Sequence, residues 1–323
     1  MNFEEITATV ADEFTHVDKM IMDELHSNVS LIGEIGHYIV SNGGKRLRPL
    51  VSLLSAKAFG YDEGEKHIKI ATITEFLHTA TLLHDDVVDE SSLRRGKPTV
   101  NAVWGNATSV LVGDFLISRS FQLIVSVKHM RLMEILAEAS NLIAEGEVLQ
   151  LINVNKPGTS EEQYMDVIQY KTAKMFEVAA ISGPIVAKSG KEAEDTMVDY
   201  ARHMGAAFQI TDDVLDYTSS AEEMGKNVGD DLAEGKPTLP LIYAMQHGTP
   251  EQRKMIETAI ETGGLDKLDE IIAAVKSSGA LNYTINKAEE ESALAIKALE
   301  IVPDSKYRTA LESLAVLAVH RSS

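Results

Sequence analysis

Apolar residues recur along most of the chain at intervals of three and four positions, which is the spacing of one face of an α-helix. Helix-ending glycines and prolines divide this pattern, and no segment alternates convincingly like a strand. We predict helices over 3–28, 30–40, 49–59, 65–89, 101–127, 131–154, 192–217, 238–247, 250–262, 265–278, 281–300 and 304–319, with one more that starts after Thr159 or Ser160 and is kinked or interrupted at Gly183 and Pro184. No linker breaks the series. The pattern therefore predicts one all-α domain over residues 1–323.

Composition narrows the class of protein. The chain has 323 residues, of which 44% are hydrophobic, and its 30 basic and 49 acidic side chains give a net charge of −19. This charge disfavours nucleic acid or an anionic membrane surface as partner. No cysteine is present, which excludes disulfides and thiolate chemistry. With no signal-peptide pattern and no run of about eighteen apolar residues, we expect a cytoplasmic protein without a transmembrane segment.

An acidic motif, D-D-x-x-D, lies in the apolar helix predicted over 65–89. Asp85 and Asp89 are one helical turn apart and face the same way, with Asp86 about 100° further round. Like charges so close are costly unless a cation lies between them, and Mg²⁺ prefers carboxylate oxygen. A basic loop, R-R-G-K-P-T, follows at 94–99. The order predicts a metal site followed by a phosphate-binding segment.

The same two motifs occur again in the second half of the chain. Asp212, Asp213 and Asp216 repeat the D-D-x-x-D spacing, and residues 235–238 repeat the tetrapeptide G-K-P-T. One acidic motif is weak, since solvated helix faces often produce it, but two copies with the same trailing tetrapeptide are hard to assign to chance. We predict two acidic helix faces that look at each other across a cavity and hold metal ions and a diphosphate.

Further cations and one histidine extend this hypothesis. Lys45, Arg46 and Arg48 enter a helix at Pro49, where backbone donors favour anions, although a solvated basic loop explains them equally well. His78 lies two turns before Asp85 on nearly the same face. Lys171 is either a snorkelling surface lysine or a phosphate ligand. The loop 219–237 is long enough to be a mobile lid.

Competing motifs explain less. The segment 229–236 fails as a phosphate loop, because the spacing is wrong and Pro237 replaces the required hydroxyl residue. His84 and Asp85 could form the H-D doublet of helical metal-dependent phosphohydrolases, but that leaves the second acidic motif unexplained.

These motifs together resemble the trans-isoprenyl (polyprenyl) diphosphate synthase family. The matching segments are G-G-K-R-L-R-P at 43–49, the first D-D-x-x-D with R-R-G-K-P-T, and F-Q-I-T-D-D-V-L-D at 208–216. The resemblance covers the chain from end to end. It implies an isoprenoid synthase fold, a bundle of long, mostly antiparallel helices around a deep central cavity, and a homodimer. It also implies a long-chain product, most similar to the octaprenyl chain of a bacterial quinone, with a shorter product as the alternative.

The resemblance assigns roles to residues of this chain. About three Mg²⁺ ions would be held by Asp85, Asp89 and Asp212. The allylic substrate, farnesyl diphosphate, would be held by Arg94, Lys171, Thr172, Gln209, Lys226 and Lys236. The second substrate, isopentenyl diphosphate, would be held by Lys45, Arg48, His78 and Arg95. All six motif aspartates and Lys171 would be catalytic. The metals and cations would stabilise the departing pyrophosphate as an allylic cation forms, so water must be kept out.

Product length is predicted from residues below the first acidic motif. Ala80 and Thr81 precede Asp85 by about 6–7.5 Å along the helix. Small side chains there leave a hydrocarbon cavity open, whereas Phe or Tyr would block it. Ile124 and Leu136 are candidates for the floor. A terpene cyclase is disfavoured by the isopentenyl diphosphate cations, and a non-catalytic subunit by the presence of all six aspartates.

Overall fold

The computed structural model describes residues 1–218 and 229–320. The α-helices are α1 Phe3–Ala8, α2 Ala11–Glu24, α3 Ser30–Ser41, α4 Leu47–Ala58, α5 Lys66–Val88, α6 Val100–Trp104, α7 Asn106–Val127, α8 Met130–Asn153, α9 Glu161–Val167, α10 Lys174–Ala187, α11 Lys191–Thr218, α12 Asp230–Ala233, α13 Leu239–His247, α14 Pro250–Thr262, α15 Leu268–Ser277, α16 Ala280–Ala298 and α17 Lys306–Val319. A π-helix, Ile168–Ala173, joins α9 to α10, and a 3₁₀ turn, Leu299–Ile301, follows α16. The all-α prediction is confirmed.

The helices fall into two compact units. Unit 1 comprises Met1–Ala139, Met175–Tyr200 and Ala298–Leu314. Its centre is α5, which packs against α2, α4 and α7. The apolar side chains of α4 and α5 are almost all excluded from water, as the hydrophobic effect requires of helices at the centre of a bundle.

Unit 2 comprises Ser140–Lys174, Ala201–Lys297 and Ala315–Ser323. One of its apolar clusters joins Tyr164 and Ile168 to Ala206 and Ile210 of α11. A second cluster joins the end of α11 to α13, α14 and α15, around Ile256 and Ile271. Along α11 the clusters therefore include residues just before and just after the second acidic motif, Ile210 and Tyr217.

Two predicted helices are each divided in the structure. The helix predicted over 3–28 breaks between α1 and α2, where the Thr9 hydroxyl donates to the Ile6 carbonyl and Val10 leaves the helical conformation. The helix predicted over 101–127 breaks at Gly105, which has φ of +86° and begins α7. Such a conformation is strained for residues with a Cβ, so glycine permits the break.

The prediction of no strand is wrong at one place in the described residues. Two strands of two residues each, Leu93–Arg94 and Lys97–Pro98, form an antiparallel hairpin. Leu93 pairs with Pro98, and Arg94 pairs with Lys97. Arg95 and Gly96 form its turn with φ of +54° and +72°. Positive φ at both central residues matches the right-handed twist of a tight hairpin. The predicted basic loop is therefore a rigid turn.

The helix over 174–187 runs without interruption through Gly183 and Pro184, where the sequence predicts a kink or an interruption. It continues to Ala187, and a Cβ at Gly183 would lie 2.1 Å from Ser55 Oγ. Gly183 therefore permits close approach of α10 to α4. The irregularity lies earlier, in the π-helix, a form found most often at functional sites.

One helix bears on the expectation of no transmembrane segment. Within the described residues, α7 is long and apolar enough to cross a membrane. Helices in a protein core can have the same length and apolar composition, so the absence of a transmembrane segment stays a prediction.

Candidate active site

The first acidic motif ends α5 in unit 1, and its three aspartates are placed differently. Asp85 and Asp89 are half-buried, whereas Asp86 is only 3% exposed. Arg94 of the hairpin donates to Asp86 Oδ1 from Nε at 2.9 Å and from Nη2 at 2.7 Å. Burial raises the pKa of Asp86, and the Arg94 pair opposes that rise. Asp86 therefore ties the hairpin to the helix, while the other two carboxylates remain accessible.

The two basic segments of unit 1 meet beside this motif. Arg95 donates to the Gly43 carbonyl, and a Cβ at Gly44 would lie 2.6 Å from Arg95 Nη1. A cavity of about 100 Å³ adjoins them, and its wall includes His78 and Glu75 of α5. Burial, followed by the charges of Arg48, Arg94 and Arg95, lowers the pKa of His78 well below its usual range. Burial and the neighbouring guanidinium groups thus both disfavour the charged form of His78.

The remaining predicted ligands of isopentenyl diphosphate, Lys45 and Arg48, lie near the start of α4. The Arg48 guanidinium lies 4.4 Å from the centre of the Phe176 ring, a cation–π contact within unit 1. Lys45 is exposed on the turn before α4, where Arg46 has φ of +47°. The structure thus brings His78, Arg48 and Arg95 together, and Lys45 lies at the entry to the same helix.

The second acidic motif lies on α11 in unit 2, and two of its aspartates are buried. Asp212 is half-buried, while Asp213 and Asp216 are 2% and 0% exposed. Asp213 Oδ2 accepts from the Tyr164 hydroxyl at 2.6 Å, and its Oδ1 accepts from Gln209 Nε2 at 2.9 Å. Burial raises the pKa of Asp213, the neighbouring carboxylates Asp231 and Asp212 add to the rise, and the two hydrogen bonds oppose it.

The π-helix carries Lys171 and Thr172. Lys171 Nζ donates to Glu147 Oε2 and to Gln150 Oε1, each at 2.6 Å, and both acceptors are on α8. The Thr172 hydroxyl donates to Gln209 Oε1 at 3.1 Å. The reading of Lys171 as a snorkelling surface side chain is therefore wrong, because it is only 21% exposed and makes two short polar contacts.

The two G-K-P-T segments share a local conformation. Gly96 and Gly235 have φ of +72° and +67°, and in each copy the threonine is extended and directly precedes a helix. A Cβ at Gly235 would lie 1.9 Å from Asn155 Oδ1, so this position requires glycine. Lys236 forms an ion pair with Glu234 at 2.5 Å. Lys226, together with most of the predicted lid 219–237, lies outside the described residues.

The donor chemistry fits a magnesium site supported by a phosphate ligand. Asp85 and Asp89 supply oxygen donors from one face of α5, as Mg²⁺ requires. Among residues 1–218 and 229–320, no group of three or more acidic or histidine side chains is close enough to hold one metal ion. Mg²⁺ is commonly held by one or two carboxylates together with substrate phosphates and water. The arrangement matches that mode.

The four chain-length residues are all at least half-buried. Ala80 is 0% exposed, and Ile124 and Leu136 are each 2% exposed. Thr81 donates its hydroxyl to the His78 carbonyl at 2.8 Å. Their role in product length stays a prediction.

Sequence reasoning missed several residues of these sites. Tyr164 reads as an ordinary apolar position, although it holds Asp213. Glu75 lines the cavity beside three cations, and burial raises its pKa while those cations oppose the rise. Of these residues, only Glu147 and Gln150 stand out in the sequence, because they are polar residues within an otherwise apolar pattern on α8.

Comparison with known proteins decides the family. The family model for polyprenyl synthetase matches residues 29–277. Octaprenyl diphosphate synthase of Escherichia coli is 53% identical over 322 residues, covering 99% of each chain.

The chain belongs to the polyprenyl synthetase family.

Other members are also similar over their full length. All-trans-nonaprenyl-diphosphate synthase (geranyl-diphosphate specific) of Rhodobacter capsulatus is 50% identical and covers 98% of each chain. The crystal structure of polyprenyl synthase from Caulobacter crescentus, complexed with calcium and isoprenyl diphosphate, superposes with a TM-score of 0.96 at 40% identity and covers 100% of this chain and 98% of that one. This family member is therefore a prenyltransferase with the isoprenoid synthase fold.

Proposed function

We propose that this synthase extends farnesyl diphosphate with isopentenyl diphosphate units to an octaprenyl product, for use as a quinone side chain. Identity to the octaprenyl diphosphate synthase of E. coli over the whole chain supports the product length. The nonaprenyl relative is almost as similar, so a nine-unit product is the closest competitor. The single domain predicted over 1–323 is part of the same proposal.

The observation that carries the chemistry is the common arrangement of the two acidic motifs. In each motif the second aspartate is buried and bonded within the protein, Asp86 to Arg94 and Asp213 to Tyr164 and Gln209. The first aspartate, Asp85 or Asp212, stays half-exposed. In this proposal the partly exposed aspartates Asp85, Asp89 and Asp212 bind metal. The buried second aspartate of each motif instead holds the substrate-binding side chains in place.

Bound Mg²⁺, about three ions in the proposal, would supply positive charge for the departing pyrophosphate. Arg94, Lys171, Thr172 and Gln209 add hydrogen-bond donors for the same group. Lys171 is already oriented by Glu147 and Gln150, so little side-chain ordering remains to be completed when the diphosphate binds.

Arg48, Arg95 and His78 bind the diphosphate of isopentenyl diphosphate in this proposal. His78 and Arg95 line one cavity, and the charge of Arg48 acts on His78. Isopentenyl diphosphate bound by these side chains would lie next to the metal site of the allylic diphosphate, which would bring the two reacting carbons close together. Such proximity can remove a large part of the activation free energy of a bimolecular reaction.

A homodimer in the cytoplasm completes the proposal. Leu111, Phe121 and Val125 are 67%, 42% and 58% exposed, and their spacing places them on one side of α7. Apolar side chains grouped on one helix side are typical of an interface with a partner subunit. Light scattering should give twice the chain mass for the wild type, and a smaller mass for Phe121→Glu.

The decisive experiment uses purified full-length protein with Mg²⁺, farnesyl diphosphate and labelled isopentenyl diphosphate. We expect chromatography of the dephosphorylated products to show a dominant forty-carbon alcohol. Asp85→Asn should abolish turnover, whereas Asp62→Asn, which removes an exposed carboxylate that belongs to neither motif, should not.

The outcomes separate the alternatives. Release of inorganic phosphate or pyrophosphate without elongation would indicate a hydrolase, and a dominant product of fifteen or twenty carbons would indicate a short-chain enzyme. Full activity in Asp85→Asn would refute the assigned metal site.

A further inference from the structure

Tyr164 is a buried tyrosine that the proposed chemistry does not use. It lies on α9, is 7% exposed and packs in the apolar cluster of α11 and α13. Its hydroxyl donates to Asp213 Oδ2 at 2.6 Å, the short distance typical of a bond to a carboxylate. A buried polar hydrogen bond of this kind fixes the geometry of both partners.

This hydrogen bond is the first of a chain of three. Asp213 Oδ1 accepts from Gln209 Nε2 at 2.9 Å, and Gln209 Oε1 accepts from the Thr172 hydroxyl at 3.1 Å. The Gln209 amide nitrogen therefore faces Asp213, and its oxygen faces Thr172. The orientation of Gln209 is thus determined by the carboxyl group behind it.

The same hydrogen bonds connect α11 to α9 and to the π-helix. Tyr164 lies on the helix before it, and Thr172 lies within it. Both are bonded to α11, Tyr164 through Asp213 and Thr172 through Gln209. The irregular segment and the helix before it are therefore each bonded to α11.

We propose that Tyr164 is a positioning residue for the allylic diphosphate: its hydroxyl fixes the carboxyl group of Asp213, which orients Gln209 and, through it, Thr172. The inference rests on the proposed function, in which Gln209 and Thr172 bind that diphosphate. Without the hydroxyl, Asp213 Oδ2 loses its donor and the carboxyl group can rotate away from Gln209.

Tyr164→Phe tests this role, because it removes the hydroxyl and keeps the buried ring. The Michaelis constant for farnesyl diphosphate should rise about fivefold, the effect of roughly one hydrogen bond, while that for isopentenyl diphosphate should stay within about twofold. In a Gln209→Ala background the same substitution should add no further increase. Binding of inorganic pyrophosphate with Mg²⁺, measured by calorimetry, should weaken by a similar factor of about five.

Tyr283→Phe is the matched control. The Tyr283 hydroxyl also donates to a carboxylate of unit 2, Glu161, at 2.9 Å and 3.1 Å, but it is not part of the chain. Its removal should leave both Michaelis constants and the pyrophosphate affinity unchanged.

Three results would overturn the inference. The first is an unchanged pyrophosphate affinity in Tyr164→Phe. The second is an equal rise of both Michaelis constants in this variant together with a fall in its melting temperature, and the third is a fully additive effect of Tyr164→Phe in the Gln209→Ala background. A wild-type chain that binds pyrophosphate but never elongates a prenyl chain would instead refute the proposed function. In that case the pyrophosphate affinity of Tyr164→Phe alone would still decide the positioning role.

Discussion

Gly146 offers the sharpest test of the π-helix as a functional element. It is buried on α8 between Glu145 and Glu147, where the π-helix passes. A Cβ at this position would lie 2.9 Å from the backbone nitrogen of Lys171 and 2.9 Å from Tyr170 Cβ. Because the nearest atom belongs to the backbone, no side-chain rotation can relieve the contact in Gly146→Ala. The π-helix must move away from α8 by about half an ångström to reach an ordinary contact distance.

Two opposing terms set the change in stability. Alanine gains about 1 kcal/mol over glycine within a helix. Overpacking of a closely packed site costs about 1–3 kcal/mol. We therefore expect a loss of about 0–2 kcal/mol in the free energy of unfolding. Activity should suffer more, because displacement of a binding group by about 1 Å can cost as much as 100-fold. For half that displacement we expect a fall of about tenfold in kcat.

Gly33→Ala is the control for helix propensity. Gly33 is also within a helix, α3, and has no atom within 4 Å of a Cβ built there. This substitution should raise the melting temperature, with a gain of up to about 1 kcal/mol, and leave kcat unchanged. Steady-state elongation assays and thermal denaturation of both variants check the comparison. A Gly146→Ala protein with wild-type kcat and an increased melting temperature would refute the argument.

Three further predictions follow from other parts of the structure. Asp85→Ala should lose Mg²⁺-dependent elongation while the circular dichroism spectrum and melting temperature stay near wild type, and turnover that survives would contradict the metal assignment. Ala80→Tyr should shorten the product to fifteen or twenty carbons and leave turnover measurable, so an unchanged product profile would refute the blocking argument. His67 is 5% exposed and burial lowers its pKa from 6.5 to about 4. The unfolded chain therefore binds the imidazole proton first, and stability should fall by up to about 2–3 kcal/mol as pH drops from 6.5 to 4. In His67→Leu urea titrations should show a smaller loss over this interval, and an identical pH dependence would count against the assignment.

The acidic motifs show how far sequence reasoning reaches. The spacing of Asp85, Asp86 and Asp89 on a helix was sufficient to predict that the first and third share a face. The structure agrees, since Asp85 and Asp89 are half-buried whereas Asp86 is almost fully buried. For the second motif the same reasoning predicts that Asp212 and Asp216 share a face, yet Asp216 is 0% exposed. Burial depends on what packs against the helix, which periodicity does not contain.

Irregular backbone was the least predictable part. The hairpin at 93–98 consists of four paired residues around a tight turn, too short for an alternating pattern to indicate strands. The π-helix is only six residues long, so its pattern of apolar residues cannot be distinguished from that of the flanking α-helices. Both features carry candidate diphosphate ligands, and both are stabilised by partners on other elements: Asp86 on α5 for the hairpin, Gln209 on α11 and Glu147 on α8 for the π-helix.

The sequence by itself determined the helical class, the residue types of the two metal-binding motifs and the family, because periodicity, spacing and side-chain chemistry are all local properties. Only the tertiary structure decided which carboxylates remain available to a ligand and which act as internal supports. The reason is that the supporting bonds join residues far apart in the chain, such as Tyr164 and Asp213, whose numbers differ by 49. Folding alone selects such partners, since each buried polar group must find a hydrogen bond wherever packing brings one within reach.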